Sequence, residues 1–304
     1  MLYVVGFSTL IRHILYCPPQ AMQPTVHTFP SGGLTLSRVC LACPDPVARV
    51  VLVHGYGDHS GRYHEFYRYL ADHRIEAHGI DLRGHGRSSG RRGCVTSWDD
   101  HLTDLRAAID LPELCGCGAG NGPLPTFVLG HSHGGLIVAV AAARGLLGDA
   151  GVRGIVLCSP YFRNLVPVPR WKLLLAHAAD RIVPWLRVSS GLNDDWMTGD
   201  PAMVADSRAD GLLNRGATPR WFIRTRAVQA TVLGLAPRVT LPVLCLTGGA
   251  DQIADPSVAQ AFVDTCGSVD KSYRCYPGQR HELLREVERQ TTFSDVVQFV
   301  QSRA

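Results

Sequence analysis

The opening stretch MLYVVGFSTLIRHILYC lacks the basic residues that begin a secretory signal, and Arg12 and His13 interrupt it well short of a bilayer span. Tyr16 ahead of Cys17 also denies it the small residues of a lipoprotein-type cleavage site. The expectation is a cytoplasmic chain whose first residues form a short helix, packed on the body or lying on a membrane surface. A disulfide framework is missing too, although ten cysteines are present. Cys40 and Cys43 make one CxxC, Cys115 and Cys117 one CxC, and neither has a second pair at zinc-ribbon spacing. Cys158 and Cys245 sit inside apolar runs, where a cysteine behaves as a small hydrophobe. Reduced thiols and no metal site follow. Charge of one sign is scarce: 30 Lys and Arg against 26 Asp and Glu leave a net +4. The one basic cluster, RGHGRSSGRR (83–92), is too thin for a nucleic-acid footprint and reads as a solvated turn rather than a phosphate loop. Internal repeats and low-complexity segments are absent as well.

What is there is alternation. Strand-like runs, most of them apolar and β-branched, at 34–41, 48–55, 75–82, 126–130, 153–160, 242–249 and 271–278 are separated by helical composition near 63–71, 98–109, after the GHSHGG turn, near 257–265 and from Glu282 onward. Strands alternating with helices predict an α/β fold: a mostly parallel sheet with helices on both faces. Residues 161–240 break the rhythm with most of the tryptophans, several prolines and the run WKLLLAHAADRIVPWL (171–186). Because the α/β pattern resumes straight afterwards, this interval is expected as a helical cap inserted in the core. The organisation is then an extension (1–28), a first core part (29–160), the cap (161–240) and a second core part (241–304).

The stretch TFVLGHSHGGL (126–136) carries the chemistry. It fits G-x-S-x-G with an apolar strand before it and a helix after it, the setting of a nucleophile elbow. Gly130 and Gly134 are small because strand and helix cross there, and the serine between them, Ser132, is pushed into the open. An acid and a histidine follow in the order such a triad requires, each after a strand: Asp251 in GGADQIADP and His281 in GQRHELL. Asp255 is the rival acid, but Pro256 behind it makes helix capping its better explanation. An oxyanion hole needs two backbone N–H groups, one from His133 after the serine and one from the loop HGYGDHSGRY (54–63), where Tyr56 is the natural donor. His54, His59, His64, His73, His78 and His85 are expected at turns or on the surface.

Taken together, HGYGDHSGRY, DLRGHGRSSG, GHSHGG, GGADQIADP and PGQRHELLRE resemble the monoacylglycerol lipase and lysophospholipase-like branch of the serine α/β-hydrolases, from Phe29 to the C-terminus. The resemblance implies the α/β-hydrolase fold, triad roles for Ser132, Asp251 and His281, and oxyanion roles for Tyr56 and His133. It implies cleavage of a monoacylglycerol or similar single-chain lipid ester without a cofactor. A carboxylesterase or thioesterase for shorter acyl groups, and a non-catalytic binding member of the fold, stay open as other readings. This chain departs from the family in three places. Tyr56 and His133 stand where a small residue or Met is common, Asp58 replaces a Glu, and the segment before Phe29 has no counterpart. In the cap, Leu174, Leu175 and Trp185 are expected to line an acyl tunnel, with transient membrane contact through the cap or the first residues.

Overall fold

The computed structural model describes residues 23–111 and 123–304. The expectations for the first residues and for the Cys115–Cys117 pair lie outside the described residues. A hairpin opens the sheet, β1 (Thr25–Ser31) pairing antiparallel with β2 (Leu34–Leu41). Then come β3 (Ala48–Val53), β4 (Ile75–Ile80), β5 (Thr126–His131) and β6 (Val152–Cys158), and, beyond a small ribbon of β7 (Val188–Ser189) and β8 (Gly216–Ala217), β9 (Val243–Gly248) and β10 (Lys271–Tyr276). The eight-stranded sheet has the order β1-β2-β4-β3-β5-β6-β9-β10, antiparallel at the β1, β2 edge and parallel from β4 to β10. Sequence pattern alone does not mark β1: TVHTFPS is polar and holds a proline, which an edge strand tolerates.

Central strands are buried on both faces, and alternate side chains feed two cores. Val51, Val53 and Val128 face α2 (Asp100–Ile109), α3 (His133–Ala143) and, further along the chain, the helix Pro256–Thr265. Val50, Leu52, Phe127 and Leu129 face α1 (His64–Asp72) and the last helix, Arg289–Gln301. Helix α3 is buried along its whole length, which is why its sequence is apolar all round rather than on one stripe.

Between β6 and β9, which are sheet neighbours, the chain leaves to form α4 (Arg170–Ile182), the ribbon, α5 (Pro201–Ala209), α6 (Pro219–Gln229) and α7 (Val232–Leu235). It then resumes as α8 (Pro256–Thr265) and α9 (Arg289–Gln301) around β10. Helix α4 lies on α6, fastened by Arg220 donating to Asp180 at 2.8 Å, and buries none of its own residues. Among the described residues no helix is long and apolar enough to cross a membrane.

The order β4-β3-β5 fixes where a ligand sits. After β3 the chain moves to one side of the sheet, and later returns on the other side as β5. Loops leaving the carboxyl ends of β3 and β5 therefore part, and such a switch point leaves a crevice.

Candidate active site

Ser132 stands in that crevice. It links β5 to α3 with φ 53° and ψ −116°, a left-handed conformation that costs a non-glycine residue about 1–3 kcal/mol. Neighbours hold it there: its N–H donates to Cys158 O at 2.9 Å, and its carbonyl accepts from Tyr161 N at 2.9 Å and Leu136 N at 3.2 Å. The flanking glycines are steric necessities. A Cβ on Gly130 would lie 2.4 Å from Gly134 O, and one on Gly134 would lie 2.1 Å from Val53 O.

Asp251 follows β9, His281 follows β10, and the structure brings both to Ser132. His281 Nδ1 lies 2.7 Å from Asp251 Oδ2, and its Nε2 lies 2.9 Å from Ser132 Oγ. A carboxylate only accepts, so Nδ1 carries the ring proton and Nε2 offers a lone pair to the serine O–H. The other carboxylate oxygen of Asp251 accepts from Ile253 N at 2.8 Å and Ala254 N at 3.0 Å, which fixes its direction. Burial alone would depress the His281 pKa, but the charge and hydrogen bond of Asp251, with Glu282 and Asp58 beyond, outweigh it and raise the pKa above 6.5. Asp255 is not in this chain. It caps α8 through Ser257 N at 2.9 Å and pairs with Arg163.

The β3 loop approaches so closely that a Cβ on Gly55 would sit 3.1 Å from Ser132 Cβ. Tyr56 follows it, and His133 is the first residue of α3. Among the described residues neither backbone N–H meets an acceptor. Both residues line a cavity of about 350 Å³ shared with Ser132, His281, Leu213 and Trp221.

Beneath His281 lies an ionic cluster that motif reading did not find. Arg62 donates to Asp58 at 2.8 Å and to Glu282 at 3.0 Å, while Tyr63 donates its hydroxyl to the second Asp58 oxygen. Burial opposes the charge on Asp58, but Arg62 overrides it and holds the carboxyl far below its usual range. Its signal in the sequence is the i, i+4 spacing of Asp58 and Arg62 and the place of Glu282 beside the histidine.

Three of the expected site residues are elsewhere. Leu174, Leu175 and Trp185 are 72%, 60% and 49% exposed, and none lines the cavity. The face that α4 turns to α6 carries the Asp180 ion pair, while Leu174 and Leu175 point outward, and Trp185 lies under the Arg91 guanidinium at 4.8 Å. The histidine expectation fails for His78, which lies in β4; His54, His59 and His85 do stand in loops, but all four are buried, with backbone carbonyls and carboxylates accepting from their rings. In the basic cluster Arg83 is buried against Asp104 rather than solvated.

The family model described as Serine aminopeptidase, S33 matches residues 44–288. The chain belongs to that serine hydrolase family. Within it, 261 residues are 31% identical to the monoacylglycerol lipase of Mycolicibacterium smegmatis, covering 85% of this chain and 89% of that one. The human monoglyceride lipase is 29% identical over 262 residues, covering 85% and 84%. The solved monoacylglycerol lipase of Paleococcus ferrophilus superposes with a TM-score of 0.77 at 28% identity, over 88% of this chain and 99% of that one. The kinship read from the motifs and the α/β-hydrolase fold are both borne out.

Proposed function

We propose that this chain is a serine ester hydrolase that cleaves monoacylglycerols or similar single-chain lipid esters through an acyl-enzyme on Ser132. One observation carries the reading: the Ser132–His281–Asp251 hydrogen-bond chain opens on a cavity beside two unpartnered backbone N–H groups. His281 Nε2 takes the Ser132 proton as Oγ attacks the ester carbonyl, and Asp251 balances the imidazolium that forms. The carbonyl oxygen, gaining charge, accepts from Tyr56 N–H and His133 N–H. Collapse breaks the ester C–O bond, and His281 returns the proton to the leaving alcohol. Water, deprotonated by the same nitrogen, then releases the fatty acid.

Support for the substrate class comes from the relatives, which are named for monoacylglycerol and monoglyceride hydrolysis. We read residues 161–240 as a cap over a cytoplasmic enzyme. In place of an acyl tunnel lined by Leu174, Leu175 and Trp185, the outward apolar row of Trp171, Leu174, Leu175 and Ile182 suits contact with the lipid surface that supplies the substrate. The test is turnover of p-nitrophenyl esters and monoacylglycerols of graded chain length, with aminoacyl anilides for comparison. Rates should rise with acyl length and be negligible on the anilides. Optimal turnover of acetyl esters would favour a carboxylesterase, and faster anilide cleavage would overturn the reading.

A further inference from the structure

Tyr56 and His133 come from different elements, a loop after β3 and the first turn of α3, yet their two N–H groups must converge on one oxygen. Their side chains meet on a third residue. The Tyr56 ring lies on Trp221 with centroids 3.5 Å apart and planes 20° from parallel. Trp221 Nε1–H donates to His133 Nε2 at 3.3 Å. An indole nitrogen only donates, so that His133 nitrogen is the acceptor and the ring proton sits on Nδ1. His101 Nε2, at 3.4 Å from the same lone pair, then carries its own proton toward it. Burial keeps both imidazoles neutral, pulling His133 down to about 3 and His101 well below 6.5.

Trp221 is itself fixed. It is 6% exposed in the first turn of α6, whose cap Thr218 donates its hydroxyl to Gly93 O at 2.7 Å. The Tyr56 hydroxyl donates to that same carbonyl at 2.8 Å. The stack, the indole hydrogen bond and the shared Gly93 acceptor tie four segments into one unit: the β3 loop, the loop after β4 that carries Gly93, α3 and the 161–240 insertion.

Resting on the ester-hydrolase reading, we infer that Trp221 is the positioning residue of the oxyanion hole, holding the Tyr56 and His133 backbone donors in register from the insertion. Such donors act over 2.7–3.1 Å, and losing one lowers kcat by about 100- to 1,000-fold. A residue that clamps both therefore acts on kcat, for every acyl length alike. A residue that merely lines the cavity acts on KM, and most for long chains.

Wild type, Trp221→Ala and Trp221→Phe are compared on p-nitrophenyl acetate and decanoate. Each is also titrated with an alkyl boronic acid, which forms a tetrahedral adduct with the serine. Trp221→Ala should lose about 100-fold in kcat on both esters with KM within about 3-fold. Its boronate affinity should weaken by the factor lost in kcat/KM. Trp221→Phe keeps a ring on Tyr56 but drops the hydrogen bond to His133, and should lose about 10-fold in kcat with the fold retained. A loss confined to decanoate and to KM would overturn the inference, as would a kcat loss without weaker boronate binding. If the alanine variant does not fold, the phenylalanine variant decides: wild-type kcat would overturn the role. Wild-type protein inactive on every ester would instead strike the functional reading, and this role with it.

Discussion

Acidification from pH 7.5 to 5 should destabilise this protein markedly, because its interior holds neutral histidines. Burial first, then neighbouring imidazoles, depress His85 and His133 to about 3, and burial with the nearby His281 depresses His131 to about 4. A ring that resists protonation when folded takes a proton near 6.5 when unfolded. Stability is then complete above 6.5 and declines as pH falls toward the folded value. At pH 5 each ring has cost about 2 kcal/mol, and the three together about 6, against the 5–15 kcal/mol that holds a typical domain. His281 runs the other way. Its raised pKa adds stability below 6.5 that disappears as pH rises through the folded value, and this offsets part of one ring. Depressed carboxylates such as Glu76, at about 2, lose their contribution only below about pH 4.5, so the window from 6.5 to 5 isolates the histidines. Urea unfolding followed by circular dichroism at half-unit steps measures the slope directly. A midpoint constant from pH 7.5 to 5 would refute the argument.

Four shorter predictions follow from the site. Ser132→Ala should abolish turnover with the fold retained. Asp251→Asn should lower kcat by about 10³- to 10⁴-fold, since an amide at that place favours the wrong imidazole tautomer, while Asp255→Asn stays within a few-fold of wild type. The reverse ranking of the two would refute the assignment of the acid. Activity requires neutral His281, so kcat/KM should rise with pH to a plateau, its midpoint lying above 6.5 because Asp251 raises the imidazole pKa. A midpoint well below 6.5 would point to another base. Arg62→Met leaves Asp58 and Glu282 buried without their cation and should destabilise by about 3–5 kcal/mol, read as a lowered urea midpoint; an unchanged midpoint would show the cluster to be inert.

Ser132, Asp251 and His281 were legible because each stands just beyond a strand, so chain order and strand ends alone place them at one edge of a parallel sheet. The same logic located Tyr56 and His133. It failed for β1, whose polar strand is held by pairing with β2 rather than by its own pattern. It failed again in α4, where helical spacing of Leu174 and Leu175 marks an apolar face but not what that face meets. Trp221 and the Asp58–Arg62–Glu282 cluster lie more than 80 residues from parts of their own networks, and only tertiary folding makes them neighbours. The burial of His54, His59, His78 and His85 was not legible for a related reason: a polar ring is cheap inside when backbone groups or carboxylates satisfy one of its nitrogens, and sequence does not show those partners.

The left-handed backbone at Ser132 sets function against stability at one atom. Glycine has no Cβ to strain there, so Ser132→Gly removes the hydroxyl and also relieves part of the about 1–3 kcal/mol that the conformation costs. The inert protein is then the sturdier one, by comparison with Ser132→Ala, which keeps the strain. A lineage released from selection for catalysis gains fitness for folding by mutating the position that defined it. Descendants of this fold that have become binding proteins should therefore carry glycine at the elbow more often than alanine.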